Sequence, residues 1–158
     1  MMPINTLYII NSSGSLIDKR VYGKSTLDTN NHLMQASYLY AMYQSSLIIS
    51  MNMLHEDIKN KTKDMNTLNK NMYVNSMKNT AGMKHLNSDN IDIYIYNSPT
   101  NILFCMITDK EVNNHEEILK SIYQIYATYA LKNPFYESDT PIRNNYKFDD
   151  KLNKLFKL

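Results

Sequence analysis

Short apolar runs closed by turn residues alternate along this chain with two long stretches of helical period. Leu7-Tyr8-Ile9-Ile10 is apolar and partly β-branched, is closed by Asn11-Ser12-Ser13-Gly14-Ser15, and is answered by an extended run from Leu16 to Tyr22. The pattern predicts a β-hairpin, with Gly14 free to take the positive φ that the turn needs. After a loop over residues 23–28, Thr29 is the expected helix N-cap. From Asn30 to about Met53 the apolar positions recur at three and four. Leu33, Ala36, Tyr40, Tyr43, Leu47 and Met51 form the stripe, and Met34, Ala41 and Ile48 widen it. Such a face either covers a core fully or exceeds what one sheet can cover and leaves surface for a partner.

From His55 to Thr80 the chain is rich in asparagine and lysine and keeps neither period, so residues 55–80 are expected to form a flexible polar loop, with room for a helical turn, that is either disordered or folded in part against a partner. Strand character returns at Met83–Asn87, Ile91–Tyr96 and Asn101–Thr108, with Asn97-Ser98-Pro99-Thr100 as a turn. A three-stranded antiparallel meander follows. Its last member, apolar on both faces from Ile102 to Ile107, should be covered on both sides, or on one side plus a subunit contact. Asn114 and Glu117 have capping-box spacing and open a final long helix with Ile118, Ile122, Ile125 and Tyr129 on one stripe. Lys132, Asn133 and Pro134 end it, Asn133 because it tolerates a left-handed conformation. A short helix over about Asp149–Phe156 should close the chain. The order ββ-α-βββ-α plus a short C-terminal helix predicts an α+β fold with a five-stranded, mostly antiparallel sheet.

The 158 residues are a one-domain length, so a single domain over 1–158 is expected. A formal charge of +2 is too small to point to nucleic acid or an anionic membrane. The only cysteine, Cys105, lies in an apolar run and fits a reducing compartment. The amino terminus lacks signal-peptide character, and no apolar run approaches the roughly 18 residues of a membrane span. A cytoplasmic protein that does not insert into membrane is therefore expected.

Candidate chemistry is sparse. His32, His55, His85 and His115 have no metal-ligand spacing, and the glycines at 14, 23 and 82 form no phosphate-binding pattern. Glu116-Glu117 and Asp149-Asp150 read as helix-start acids, and Cys105 as a buried small hydrophobe. No catalytic, metal-binding or cofactor-binding residue is expected. Phe135, Tyr136 and Arg143 remain, with two readings open. The aromatics either pin the tail while Arg143 satisfies a carbonyl or a carboxylate such as Asp139, or the segment forms a subunit contact.

One resemblance sharpens this. The first strand at Leu7–Asn11, the Gly-centred turn with Leu16-Ile17, the helix start through Leu33-Met34 and Ala36-Ser37, and above all Ala130-Leu131-Lys132-Asn133-Pro134-Phe135-Tyr136 with Pro141-Ile142-Arg143 are similar to the synbindin family. The similarity runs from about Leu7 to Phe156, in the form without the PDZ-like insertion that some members carry, since only a short loop stands there. It implies a longin-like (profilin-like) fold and a non-catalytic core subunit of the TRAPP vesicle-tethering complex in ER-to-Golgi transport. The implied partners are other small longin-like and Bet-family TRAPP subunits and, through the assembled complex, a Ypt/Rab GTPase whose nucleotide exchange the complex promotes. The implied location is cytoplasmic, peripheral to ER and cis-Golgi membranes. The signature residues Asn133, Pro134, Phe135, Tyr136, Pro141, Ile142 and Arg143 are the candidate interface. The alternative is an adaptor small chain or another longin-domain adaptor binding cargo or SNARE segments.

Overall fold

The strand pairing follows from the sequence alternation. β1 (Ile4–Ile10), β2 (Leu16–Val21), β3 (His85–Asn87), β4 (Asp92–Asn97) and β5 (Leu103–Thr108) form one sheet in the order β2-β1-β5-β4-β3, with every neighbouring pair antiparallel. The structure is a computed structural model that describes residues 4–24, 27–61, 63, 66–72 and 81–156. By its internal contacts the chain divides into two compact units. One comprises the residues up to Tyr40 with those from Lys84 onward, and the other is Ala41–Met83.

In the first unit the sheet is covered on both faces. Leu7, Ile9, Phe104 and Met106 point into a core shared with α2 (His115–Tyr126) and α3 (Tyr146–Phe156), through Leu119, Ile122, Phe148 and Leu152. Both of those helices place residues three to four apart on the buried side, which gives the one-sided burial a sheet-packing helix requires. On the opposite face Tyr8 meets the first turns of α1 (Thr29–Lys61): its hydroxyl donates to Gln35 Oε1 at 2.7 Å and lies 2.6 Å from His32 Nδ1. A hydroxyl has one proton to give, so His32 Nδ1 carries the proton of the second bond. β5 is buried on both faces from Leu103 to Met106, as its continuous apolar run predicts.

The predicted stripe of α1 holds at Ala36 and Tyr43, which are buried, and fails at its start, where this network brings His32 inward. The inward positions are His32, Ala36, Leu39 and Tyr43, while Leu33 is 47 % and Met34 51 % exposed. Hydropathy ranks histidine as polar and could not anticipate an imidazole satisfied by a buried phenol. Burial pulls the His32 pKa down and pushes that of Tyr8 up to about 12. A base with a lowered folded-state pKa stabilises the fold above the unfolded value of about 6.5 and loses that contribution as pH falls below it. Thermal melting between pH 7 and 5 should therefore show a shallower loss of Tm in His32→Gln than in the parent chain.

Several termini differ from expectation. Asp28, not Thr29, is the N-cap of α1: its carboxylate accepts from the Thr29 amide at 2.6 Å and its carbonyl from His32 N at 3.1 Å. Asn114 makes no side-chain cap; it sits at φ 62°, a left-handed conformation asparagine tolerates, which turns its side chain out of capping reach. The start of α2 is held instead by Tyr94, whose hydroxyl accepts from Val112 N at 3.0 Å, and by His115 Nδ1, which donates to Val112 O at 3.1 Å. α2 ends as a regular helix at Tyr126 and continues as a π turn, Ala127–Leu131, in which Lys132 N reaches Ala127 O at 3.2 Å. The wider turn turns the Tyr129 carbonyl toward Asn145 Nδ2, 2.7 Å away. Asn145 Oδ1 accepts from Phe148 N at 3.1 Å, so α3 begins at Tyr146, three residues earlier than expected. Arg20 joins Asp18 and Asp149, each at 2.7 Å, and ties edge strand β2 to α3.

In the second unit, the stretch read as a loop over 55–80 is helical over 55–61, where α1 continues, and over 67–72. Residues 62, 64–65 and 73–80 of it lie outside the described residues. Polar residues exposed all round leave no hydrophobic period to read, which is why the continuation was missed. The amides of Gly82 and Met83 donate to Ser50 Oγ and Ser46 Oγ at 3.3 and 2.8 Å. Gly82 is required there, with φ at +92° and a Cβ that would stand 2.8 Å from the Tyr43 ring.

Candidate interaction surface

The signature segment divides into residues that face the domain and residues that face away. At the end of the π turn, Asn133 Oδ1 accepts from Phe135 N at 3.1 Å and Asn133 O from Tyr136 N at 3.0 Å. This side-chain turn replaces the left-handed stop expected of Asn133, which is not among the positive-φ residues. Tyr136 folds back with its ring edge-on to Tyr126 at 6.4 Å, and its hydroxyl donates to Thr140 O at 2.7 Å. Burial raises the Tyr136 pKa, so the phenol stays protonated and remains a donor. Asp139, at φ 67°, offers its carbonyl to Asn11 Nδ2 at 3.2 Å, and Ile142 N donates to Ile17 O at 3.1 Å on the outer edge of β2. Ile142 itself packs against the core.

Pro134, Phe135, Pro141 and Arg143 are exposed, Phe135 to 95 % of its surface. The reading in which Phe135 pins the tail and Arg143 pairs with Asp139 is not what the structure shows. Among the described residues Arg143 has no hydrogen bond or ion pair. Tyr136 and Ile142 do the pinning. Sequence reasoning gives Asn11 a local side-chain role in the hairpin turn but not the bond by which it joins that turn to the tail. Its Oδ1 accepts from Ser13 N, Ser13 Oγ and Ser15 N while its amide reaches Asp139. The asparagine ahead of a serine-rich turn was the available signal.

A second surface lies on α1 within the second unit. Met42, Ile48, Ile49 and Met53 are exposed, Ile48 and Ile49 to 61 and 60 %. From Thr29 to Leu54 the helix carries no Asp, Glu, Lys or Arg. Exposed apolar side chains on a helix without charged residues cost little desolvation on docking against another apolar surface.

Groups with chemical potential are otherwise engaged. Cys105 is fully buried and its thiol is pushed up by desolvation, which removes the thiolate that reactivity needs. His85 Nε2 lies 2.9 Å from Asp92 Oδ1, and Asn87 Nδ2 donates to the same oxygen at 2.7 Å, holding the Asp92 carboxyl low. The His85 and His115 rings both stack on Tyr94, at 4.5 and 4.2 Å. Among the described residues no group of three or more His, Cys, Asp or Glu side chains is placed to hold a metal ion, and no helix is long and apolar enough to cross a membrane.

An antiparallel sheet in the order 2-1-5-4-3, with the first turns of α1 on one face and two shorter helices on the other, is a longin-like α+β domain. The chain belongs to the Sybindin-like family, whose model matches residues 4–158. It is 28 % identical over 155 residues to trafficking protein particle complex subunit 4 of Dictyostelium discoideum, a match covering 98 % of this chain and 96 % of that protein. The protein of the same name from Homo sapiens is 36 % identical over 64 residues, which are 40 % of this chain and 29 % of the human length. The Bos taurus protein is 34 % identical over 64 residues.

Proposed function

We propose that this chain is a non-catalytic subunit of a trafficking protein particle complex, working as one longin-like domain in vesicle tethering between endoplasmic reticulum and Golgi. The observation that carries the reading is the uncharged, exposed apolar stripe of α1 at Met42, Ile48, Ile49 and Met53, which suits burial by another small subunit of longin-like or Bet-family type. The signature residues of the tail, Phe135 and Arg143 foremost, supply a second contact. Through the assembled complex the chain contributes to a surface that binds the nucleotide-free form of a Ypt/Rab GTPase better than the nucleotide-bound form. That difference in affinity promotes exchange without covalent chemistry. Peripheral membrane association then comes through the complex.

The experiment is reconstitution with the other subunits. Ile49→Lys places a charge in the stripe without touching the sheet core, and it should weaken association at least tenfold, by about 1.4 kcal/mol or more, while circular dichroism stays unchanged. GDP release catalysed by the reconstituted complex should fall in proportion to the subunit lost. Undiminished assembly would remove the stripe from the interface.

A further inference from the structure

We propose that Thr140 is a phosphoacceptor for a proline-directed Ser/Thr kinase, and that its phosphorylation loosens the tail that carries Phe135 and Arg143. The chain contains two Ser/Thr-Pro dipeptides, Ser98-Pro99 and Thr140-Pro141. A kinase of this kind requires proline after the acceptor because a residue with an N–H would bury that donor unpaired, and proline has none. The structure separates the two sites. Ser98 is 3 % exposed and its hydroxyl is committed as acceptor to Ile102 N at 3.0 Å, within the turn between β4 and β5. Thr140 is half-buried in the irregular segment after α2, between exposed Asp139 and exposed Pro141.

Thr140 also stands three residues before Arg143, an exposed cation with no partner among the described residues. A basic side chain at that spacing pairs with acidic groups on kinases that select it, a charge-assisted contact. The segment that must open to enter a kinase cleft is held by separate hydrogen bonds, Asn11 Nδ2 to Asp139 O, the Tyr136 hydroxyl to Thr140 O, Thr140 Oγ1 to Glu137 O and Ile142 N to Ile17 O, each of modest net strength.

The chemistry balances with MgATP as co-reactant. Thr140 Oγ1 attacks the γ-phosphorus, the new O–P bond forms as the bond to the ADP oxygen breaks, and the hydroxyl proton passes to the kinase's catalytic carboxylate. The product cannot keep the present structure. Thr140 Oγ1 now donates to Glu137 O at 2.6 Å, beside the Thr140 N to Glu137 O bond of 3.3 Å that closes the same turn. A phosphate ester has no proton to give that carbonyl near neutral pH and brings acceptor oxygens and a charge of about −2 next to Glu137 and Asp139. The turn opens, and Arg143 becomes the counter-ion.

The test incubates the full folded chain with a cyclin-dependent kinase and MgATP and maps the product by fragmentation mass spectrometry. About one phosphate per chain is expected, on Thr140, with none in Thr140→Ala and labelling slowed roughly tenfold in Arg143→Ala, the loss of one charge-assisted contact. Hydrogen exchange of the Ile142 amide should then quicken in the phosphorylated chain. Phosphate on Ser98 or elsewhere with Thr140 unmodified would overturn the assignment, as would labelling of a peptide of residues 133–146 but not of the folded chain. An Ile142 amide equally protected before and after modification would overturn the loosening.

Discussion

Replacing Tyr126 by alanine lowers the stability of the fold by about 3–5 kcal/mol, the largest loss expected of any single substitution considered. Tyr126 is fully buried at the end of the regular part of α2 and meets Phe104 of β5 at 5.7 Å, Tyr136 of the tail at 6.4 Å and Phe148 of α3 at 6.5 Å, all edge-on. One ring thus joins the sheet, two helices and the signature segment. Truncation removes the transfer energy of the ring and leaves a cavity that three separate elements would have to move to fill. For a chain of this size the loss corresponds to about 10 °C in Tm, read by thermal or urea unfolding. Tyr126→Phe, which keeps the ring and gives up only a hydroxyl contact of 3.5 Å to Tyr136, should cost less than about 1 kcal/mol. Equal losses in the two variants would show that the ring packing is not what matters.

The second large effect concerns association and leaves stability alone. Phe135→Ala with Arg143→Ala should weaken binding to the partner subunits by about 2 kcal/mol, roughly 30-fold in Kd, with the circular dichroism spectrum and Tm of the isolated chain unchanged. The basis is the division of the tail. Phe135 and Arg143 project into solvent, whereas Tyr136, Ile142 and the Asn11 to Asp139 bond hold the backbone beneath them. Aromatic and arginine side chains presented by a pinned backbone lose little freedom on docking, so their contact energy reaches the measured affinity. A parallel fall in Tm would return the segment to a packing role.

Much of the fold was legible because two periods carry it. All five strands and the three-stranded meander follow from alternation and turn chemistry, and the sheet-facing side of α2 follows from spacing at three and four. What escaped depends on polar groups meeting across the chain. The inward turn of His32 needs the Tyr8 hydroxyl, which pattern reading does not bring to it. The start of α3 needs the Tyr129 carbonyl that a π turn releases to Asn145. The extension of α1 to Lys61 has no apolar face to announce it. The candidate site was legible as letters and illegible as roles: adjacent residues of one motif, Phe135 and Tyr136, point in opposite senses, and only burial distinguishes the anchor from the contact.

The assembly role is tested most directly by affinity purification of the tagged chain from cells, followed by mass-spectrometric identification of what it retains. Stoichiometric recovery of small longin-like and Bet-family particle subunits, lost on Ile49→Lys and on the Phe135→Ala, Arg143→Ala pair, is the predicted result. Recovery of clathrin-adaptor large chains, or of no protein partner from either form, would contradict it.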